Sequence, residues 1–268
     1  MNSKVTKNRF YDDLQDANRF TELEEMLLGE SNLPGPRANL EIAATFANAF
    51  ESSVVTSDAW SLILKWVNIT ATDAPTNNPC EYLPFCALQA MGAYYYYAEL
   101  SRKQIILEKC QAAMNDVRWR MREAAAMVLQ RIGEKEFNVI QSLFDSIGPQ
   151  ANPLEKRAFV AALAHPPLLK ESSHVLYALK LSEQILDEIT AGQMNHNTED
   201  YRVLSKGLEY AVSLFVERAP EAGFALLAKF ARSEDKRIQK IVKSNLGKAR
   251  LAKKFSQEVE RIGRLLNA

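Results

Sequence analysis

Lys236, Lys240 and Lys243 stand four and three residues apart, a spacing that lines three ammonium groups along one face of a helix. Arg237 adjoins them, and Lys248, Arg250, Lys253 and Lys254 extend the cluster. Residues 229–264 hold twelve basic and four acidic residues, a local balance of +8, whereas residues 1–60 hold five basic and ten acidic, a balance of −5. A face of this kind suits an anionic partner, either an acidic protein segment or a phosphate backbone. It serves equally well to solubilise a terminal element and to stabilise helix ends. Both readings stand, although eight charges exceed what capping alone requires.

A second basic group is Arg118, Arg120 and Arg122. Upstream lies the run Tyr94, Tyr95, Tyr96 and Tyr97. Four consecutive residues on a helix point in every direction around its axis, so at most two face a core together. At least one of these rings should be exposed or lie in a groove. Tyr brings apolar area and a hydroxyl to a binding surface with little rotamer entropy. Packing at a junction between elements is the simpler reading for the run and is weighted above binding. The candidate partner-binding residues are therefore Tyr94, Tyr95, Tyr96, Tyr97, Arg118, Arg120, Lys236, Arg237, Lys240 and Lys243.

Other chemistries find little support. Cys80 and Cys86 are separated by five residues, wider than the spacer of zinc sites, and Cys110 is remote. His165, His174 and His196 fall in or beside predicted turns and form no HExxH pair. No metal and no cofactor are expected. Neither a G-x-S-x-G elbow, a Gly-rich dinucleotide turn nor a phosphate loop occurs. Asp12, Asp13 and Asp16, with Glu22, Glu24 and Glu25, read as a solvated acidic helix surface, since acid–base work needs environments that separate carboxyl pKa values.

Composition narrows the field further. The 268 residues are 47% hydrophobic and 25% charged, the profile of an ordinary globular chain. Thirty-three basic and thirty-three acidic residues cancel, which weakens a reading built mainly on nucleic acid. No apolar run approaches a bilayer span, and the first sixteen residues carry no apolar leader. Three cysteines, an odd and small number, suit a reducing compartment. A cytoplasmic location without membrane attachment is the expectation.

The elements that must position these residues are legible as a repeat. From Asp116 to Gly133, Met121, Ala124, Ala125, Val128, Leu129 and Ile132 form one apolar helical stripe between a start signal and a stop signal. The frame returns at Leu83–Gly92 and Ile238–Gly247, and more weakly from Leu40, Glu155 and Val203. Starts at 40, 83, 121, 155, 203 and 238 are separated by 43, 38, 34, 48 and 35 residues, near the period of a two-helix repeat. Second helices are predicted over 58–69, 101–114, 136–147, 172–189 and 220–231, and a last helix over 256–266. Strand signals are nearly absent. The chain should be all-α.

The Asp116–Gly133 segment resembles the second helix of a HEAT repeat, an armadillo-type unit, in its Asp turn followed by apolar-Arg-x-Ala-Ala. The resemblance implies a single right-handed α-solenoid of about six helix pairs with the second helices on the inner face. It assigns residues 1–36 to an N-terminal helical cap, 37–250 to repeats and 251–268 to a C-terminal capping helix. In that setting Arg122 pairs with Asp116 or a neighbouring turn. The implied function is non-catalytic: a scaffold that holds another protein on its concave face and basic C-terminal repeats, the partner offering an acidic segment. More distantly, the architecture is similar to HEAT-like DNA glycosylases acting on alkylated bases, which use Trp and a catalytic Asp. Trp60, Trp66 and Trp119 invite that alternative, with Asp58 and Asp73 nearby in sequence, but no residue-by-residue match to the family's motif can be drawn.

Overall fold

Helices begin where a short polar side chain accepts hydrogen bonds from first-turn amides. Asn39 accepts from Ile42 N, Thr56 from Ala59 N, Thr198 from Tyr201 N and Asp235 from Arg237 N. Asn152 forms a capping box with Glu155, and Pro153 follows at the first helical position, where its missing N–H is not needed. The computed structural model describes residues 10–266, and every regular element among them is helical.

The chain divides into two compact units at Ile140/Gln141. In the first lie α1 (Phe20–Gly29), α2 (Leu40–Asn48), α3 (Ser57–Val67), α4 (Tyr82–Tyr94), α5 (Leu100–Met114) and α6 (Trp119–Lys135). Helix α7 (Phe137–Ile147) carries the chain across the division. The second unit contains α8 (Pro153–Leu163), α9 (Ser172–Thr190), α10 (Glu199–Arg218), α11 (Pro220–Ala231), α12 (Lys236–Leu246), the short α13 (Ala249–Ala252) and α14 (Ser256–Leu265). All six copies of the apolar frame fall inside helices except Gly247, the C-cap of α12, and the intervening helices end within two residues of their expected bounds.

Packing follows the frame. In the first unit α4 packs on α2 and on α6; in the second, α10 packs on α8 and on α12. The intervening helices cover these rows, α3 on α4, α5 on α6, α9 on α8 and α10, and α11 on α10 and α12. Helix α4 is buried along its whole length, as a helix with neighbours on both sides must be. Small residues let it come close. A Cβ added to Gly92 would lie 2.9 Å from the Val128 Cα of α6, inside any normal contact distance. Phe46 anchors the first core, with Phe10, Phe50 and Trp66 at ring distances of 5.7, 5.4 and 5.8 Å. The stacked pair Phe144 and Phe159, 4.2 Å apart, does the same in the second.

Three expectations are corrected. The tyrosine run is not one helix: Tyr94 ends α4 and Tyr95–Tyr97 tighten into a 3₁₀ turn. Of the segment assigned to one C-terminal capping helix, residues 251–252 belong to the end of α13 and a break at Lys253–Phe255 follows, whereas α14 matches the helix expected over 256–266; residues 267–268 lie outside the described residues. The acidic N-terminal surface is not wholly solvated, because Asp13 is buried beside Arg19 at 2.6 Å and Glu24 accepts from Trp66 Nε1 at 3.1 Å. Of the expected N-terminal cap, residues 1–9 lie outside the described residues.

Candidate functional site

The two arginines singled out beside the Asp116 turn are buried and occupied. Arg120 pairs with the fully buried Glu81 at 3.0 Å and donates to Asn77 Oδ1 at 2.9 Å and to the Gly35 carbonyl. Asn77 takes a left-handed backbone conformation, which Asn tolerates, and its amide donates to the same Glu81 carboxylate. Arg118 grips Asp116 with two side-chain bonds, at 2.9 and 2.7 Å, and reaches the carbonyls of Thr70 and Ala74. Together they tie the loops before α2 and α4 to the start of α6. Neither is a surface anchor. Arg122 is bound to the Asp116 turn through its backbone: its Nη1 donates to the carbonyls of Asp116 and Val117.

The tyrosines divide. Tyr94 and Tyr95 are buried, Tyr94 beside Trp60 and accepting from Arg102, Tyr95 under the Lys103 ammonium. Only Tyr96 and Tyr97 are exposed, at 51% and 37%, edge to face at 5.2 Å. Of the tryptophans, Trp60 and Trp66 are core residues. Trp119 is 42% exposed and covers the Arg120 guanidinium at 4.4 Å. With Leu40, Phe85, Glu123 and Met127 it lines a cavity of about 340 Å³. Asp58 and Asp73 are not among that cavity's lining residues.

The C-terminal lysines, in contrast, come together on a groove. Asp235 starts α12 by accepting from Arg237 N at 2.8 Å, and the Arg237 side chain closes back on the same carboxylate. These bonds hold the Asp235 carboxyl below the usual carboxylate range. From this fixed start, Ile238, Ile241, Val242 and Leu246 turn into the core and Lys236, Lys240 and Lys243 turn outward. Helix α14 packs chiefly on α11, where Phe255 meets Phe224 at 5.4 Å, and only lightly on α12. Its side toward α12 borders a groove. The resulting groove has a volume of about 650 Å³, with the three lysines on one wall and Val259, Gly263 and Leu266 on the other. Its lining contains no carboxylate. Lys240 also reaches Glu209 at 2.9 Å while remaining 66% exposed, a surface pair of small energetic worth.

Sequence reasoning located the lysine row and missed the opposite wall. The signal was present in the spacing of Val259, Gly263 and Leu266, which repeats that of Lys236, Lys240 and Lys243. Lys248 and Arg250, counted with the same basic stretch, instead flank the Tyr210 ring at 5.6 and 5.0 Å.

Other chemistry is sparse among the described residues. No group of three or more His, Cys, Asp and Glu side chains is placed to hold a metal ion. Cys86 and Cys110 are buried, and burial pushes both thiols up, away from the reactive thiolate. No described helix is long and apolar enough to cross a membrane. No family model matches the sequence, and no curated protein is significantly similar to it.

Proposed function

We propose that this protein is a non-catalytic, HEAT-like helical-repeat module that binds an acidic segment of another protein at its C-terminal end. The six frame helices supply the repeat, and a right-handed stack of about six pairs is the architecture this reading adopts. One observation carries the function: the groove between α12 and α14 combines a row of three lysines with an apolar wall and has no carboxylate in its lining. An apolar wall provides binding free energy that a phosphate backbone does not use, and the lysine row selects for negative charge. The scaffold is preformed, so little ordering opposes association on its side.

The test compares the wild type with a Lys236→Glu, Lys240→Glu, Lys243→Glu variant as baits for cytosolic extract, after circular dichroism has verified equal helicity. A partner retained by the wild type and lost by the variant is the expected result. Partners retained equally by both overturn the reading.

The DNA-repair alternative has one observation in its favour, the exposed Trp119 at a cavity whose wall includes Arg120, the partner of a buried carboxylate. That carboxylate, Glu81, is engaged by Arg120 and Asn77, which leaves it poorly placed for catalysis. Release of modified bases from alkylated duplex DNA by purified protein would establish this alternative in place of the scaffold.

A further inference from the structure

The occupant of the groove can be specified from the geometry of its walls. Lys236, Lys240 and Lys243 fall at steps of four and three residues; so do Val259 and Gly263 on α14 and Leu266 at its C-cap. At 1.5 Å per residue each row is about 10.5 Å long, or two helical turns. An extended segment repeats its side chains every two residues, nearly 7 Å, and falls out of step with both rows. A helix carries rows of the same four-and-three spacing as each wall. Small residues also favour a helix, because Gly247 and Gly263 let a backbone approach closely where a larger side chain would hold it away.

We infer that the groove receives an amphipathic helix from a partner protein. That helix carries Asp or Glu at i, i+4 and i+7 along one edge, and Leu-like residues with the same spacing beside them. The acidic row meets Lys236, Lys240 and Lys243, and the apolar row lies against Val259, Gly263 and Leu266. The wall charges are satisfied along one side of the incoming helix, and its apolar residues leave water along the other. This inference rests on the protein-binding reading and adds the conformation and residue pattern of the bound segment.

Gly263 provides a clean block. A Cβ added there meets no atom within 4 Å, and replacing a helical Gly raises helix propensity, so Gly263→Trp places an indole at the groove lining. The experiment selects a displayed library of random peptides, about five helical turns long, on the full chain. Every enriched sequence is then measured by fluorescence anisotropy against the wild type, Gly263→Ala, Gly263→Trp and the triple lysine-to-glutamate variant. Helicity and melting temperature are checked for each protein.

The expected winners carry acidic and apolar rows at helical spacing and gain helical circular dichroism on mixing. Loss of one buried Leu-sized contact corresponds to a drop of ~10- to 100-fold in affinity, which is the effect expected for Gly263→Trp. Gly263→Ala stays near wild type, and the charge-reversed variant loses binding at low salt most of all. Winners that bind in extended form, or that lack the acidic row, overturn the helix while leaving the protein-binding reading intact. Winners indifferent to both groove variants overturn this site. A selection with no winners, together with salt-sensitive binding of undamaged duplex DNA that the lysine variant abolishes, overturns the helix and the protein-binding reading together.

Discussion

Asp116 with Arg118 and Asp235 with Arg237 are the same device in two settings. In each, the Asp Oδ1 accepts from the Arg amide two residues on and from its Nε, at 2.7 and 2.9 Å for the first pair and 2.8 and 2.9 Å for the second. Each precedes a frame helix. Around Arg118, however, the loop at Thr70–Ala74 closes over the guanidinium and leaves it 3% exposed, while the Arg237 side chain remains 31% exposed. The neighbouring charges follow suit. Arg120 enters a buried pair with Glu81, and Lys236, Lys240 and Lys243 face an open groove. Local sequence sets the Asp–Arg clasp; whether nearby cations build the interior or remain available to a partner depends on what packs over them.

The largest consequence of that difference should appear at Arg120. Arg120→Ala strands Glu81 in the core, and breaking a buried pair costs about 3–5 kcal/mol. Urea unfolding should show this as a lower midpoint, with the loops before α2 and α4 becoming susceptible to protease first. A loss below ~1 kcal/mol would mean that the pair does not hold these loops.

The two clasps themselves give a matched comparison. Arg118→Ala removes bonds to Asp116, Thr70 and Ala74 in a buried setting, a loss of about 1–3 kcal/mol. Arg237→Ala removes a more exposed pairing and should cost less than ~1 kcal/mol. Equal losses by thermal unfolding would remove burial as the distinction.

Asp235→Ala takes the cap from α12 at a cost of about 1 kcal/mol. The same carboxylate links this end to pH. Its folded pKa lies below the ordinary value because Arg237 donates to it, so its stabilisation is complete above the unfolded carboxylate pKa and fades as pH falls through the lower folded value. An acid titration of wild type against Asp235→Asn should show the two melting temperatures converging as the pH drops. Divergence would reverse the assigned sign.

The smallest expected effect is on stability in the groove. Lys236→Glu, Lys240→Glu and Lys243→Glu should each change unfolding free energy by less than about 0.5 kcal/mol, as surface substitutions do. A larger loss in any one would move that lysine from the binding surface to the fold.

The helices were legible because their signals are local. Asn152-Pro153 with Glu155, Thr198 and Asp235 mark helix starts by bonds made within one turn, and the apolar frame from Met121 to Ile132 marks the buried face by its period. Asn245 occupies a small position of that frame, and its role was not legible there. Its Oδ1 accepts from Ser213 N at 2.7 Å and its amide donates to Leu208 and Ile241 carbonyls, a bridge to α10 made across 32 and 37 residues and within α12. The division of the tyrosine run was equally hidden. Periodicity required at least one of its rings to be exposed, but the turn into a 3₁₀ conformation selected Tyr96 and Tyr97.

The sequence by itself determined where the chain coils, which face of each helix is apolar, and that a row of lysines lies on one face of α12. These follow from hydrogen bonds within a turn and from the 3.6-residue period, neither of which needs a distant partner. Only the tertiary structure decided that Arg118 and Arg120 are interior and that Lys236, Lys240 and Lys243 border a groove. Burial of a charge is determined by the elements that close over it: Glu81 lies 39 residues from Arg120, and Gly263 lies 20 residues beyond Lys243. Spacing along one helix says nothing of what stands opposite. The light packing of α14 on α12 turned a basic helix face into the wall of a site.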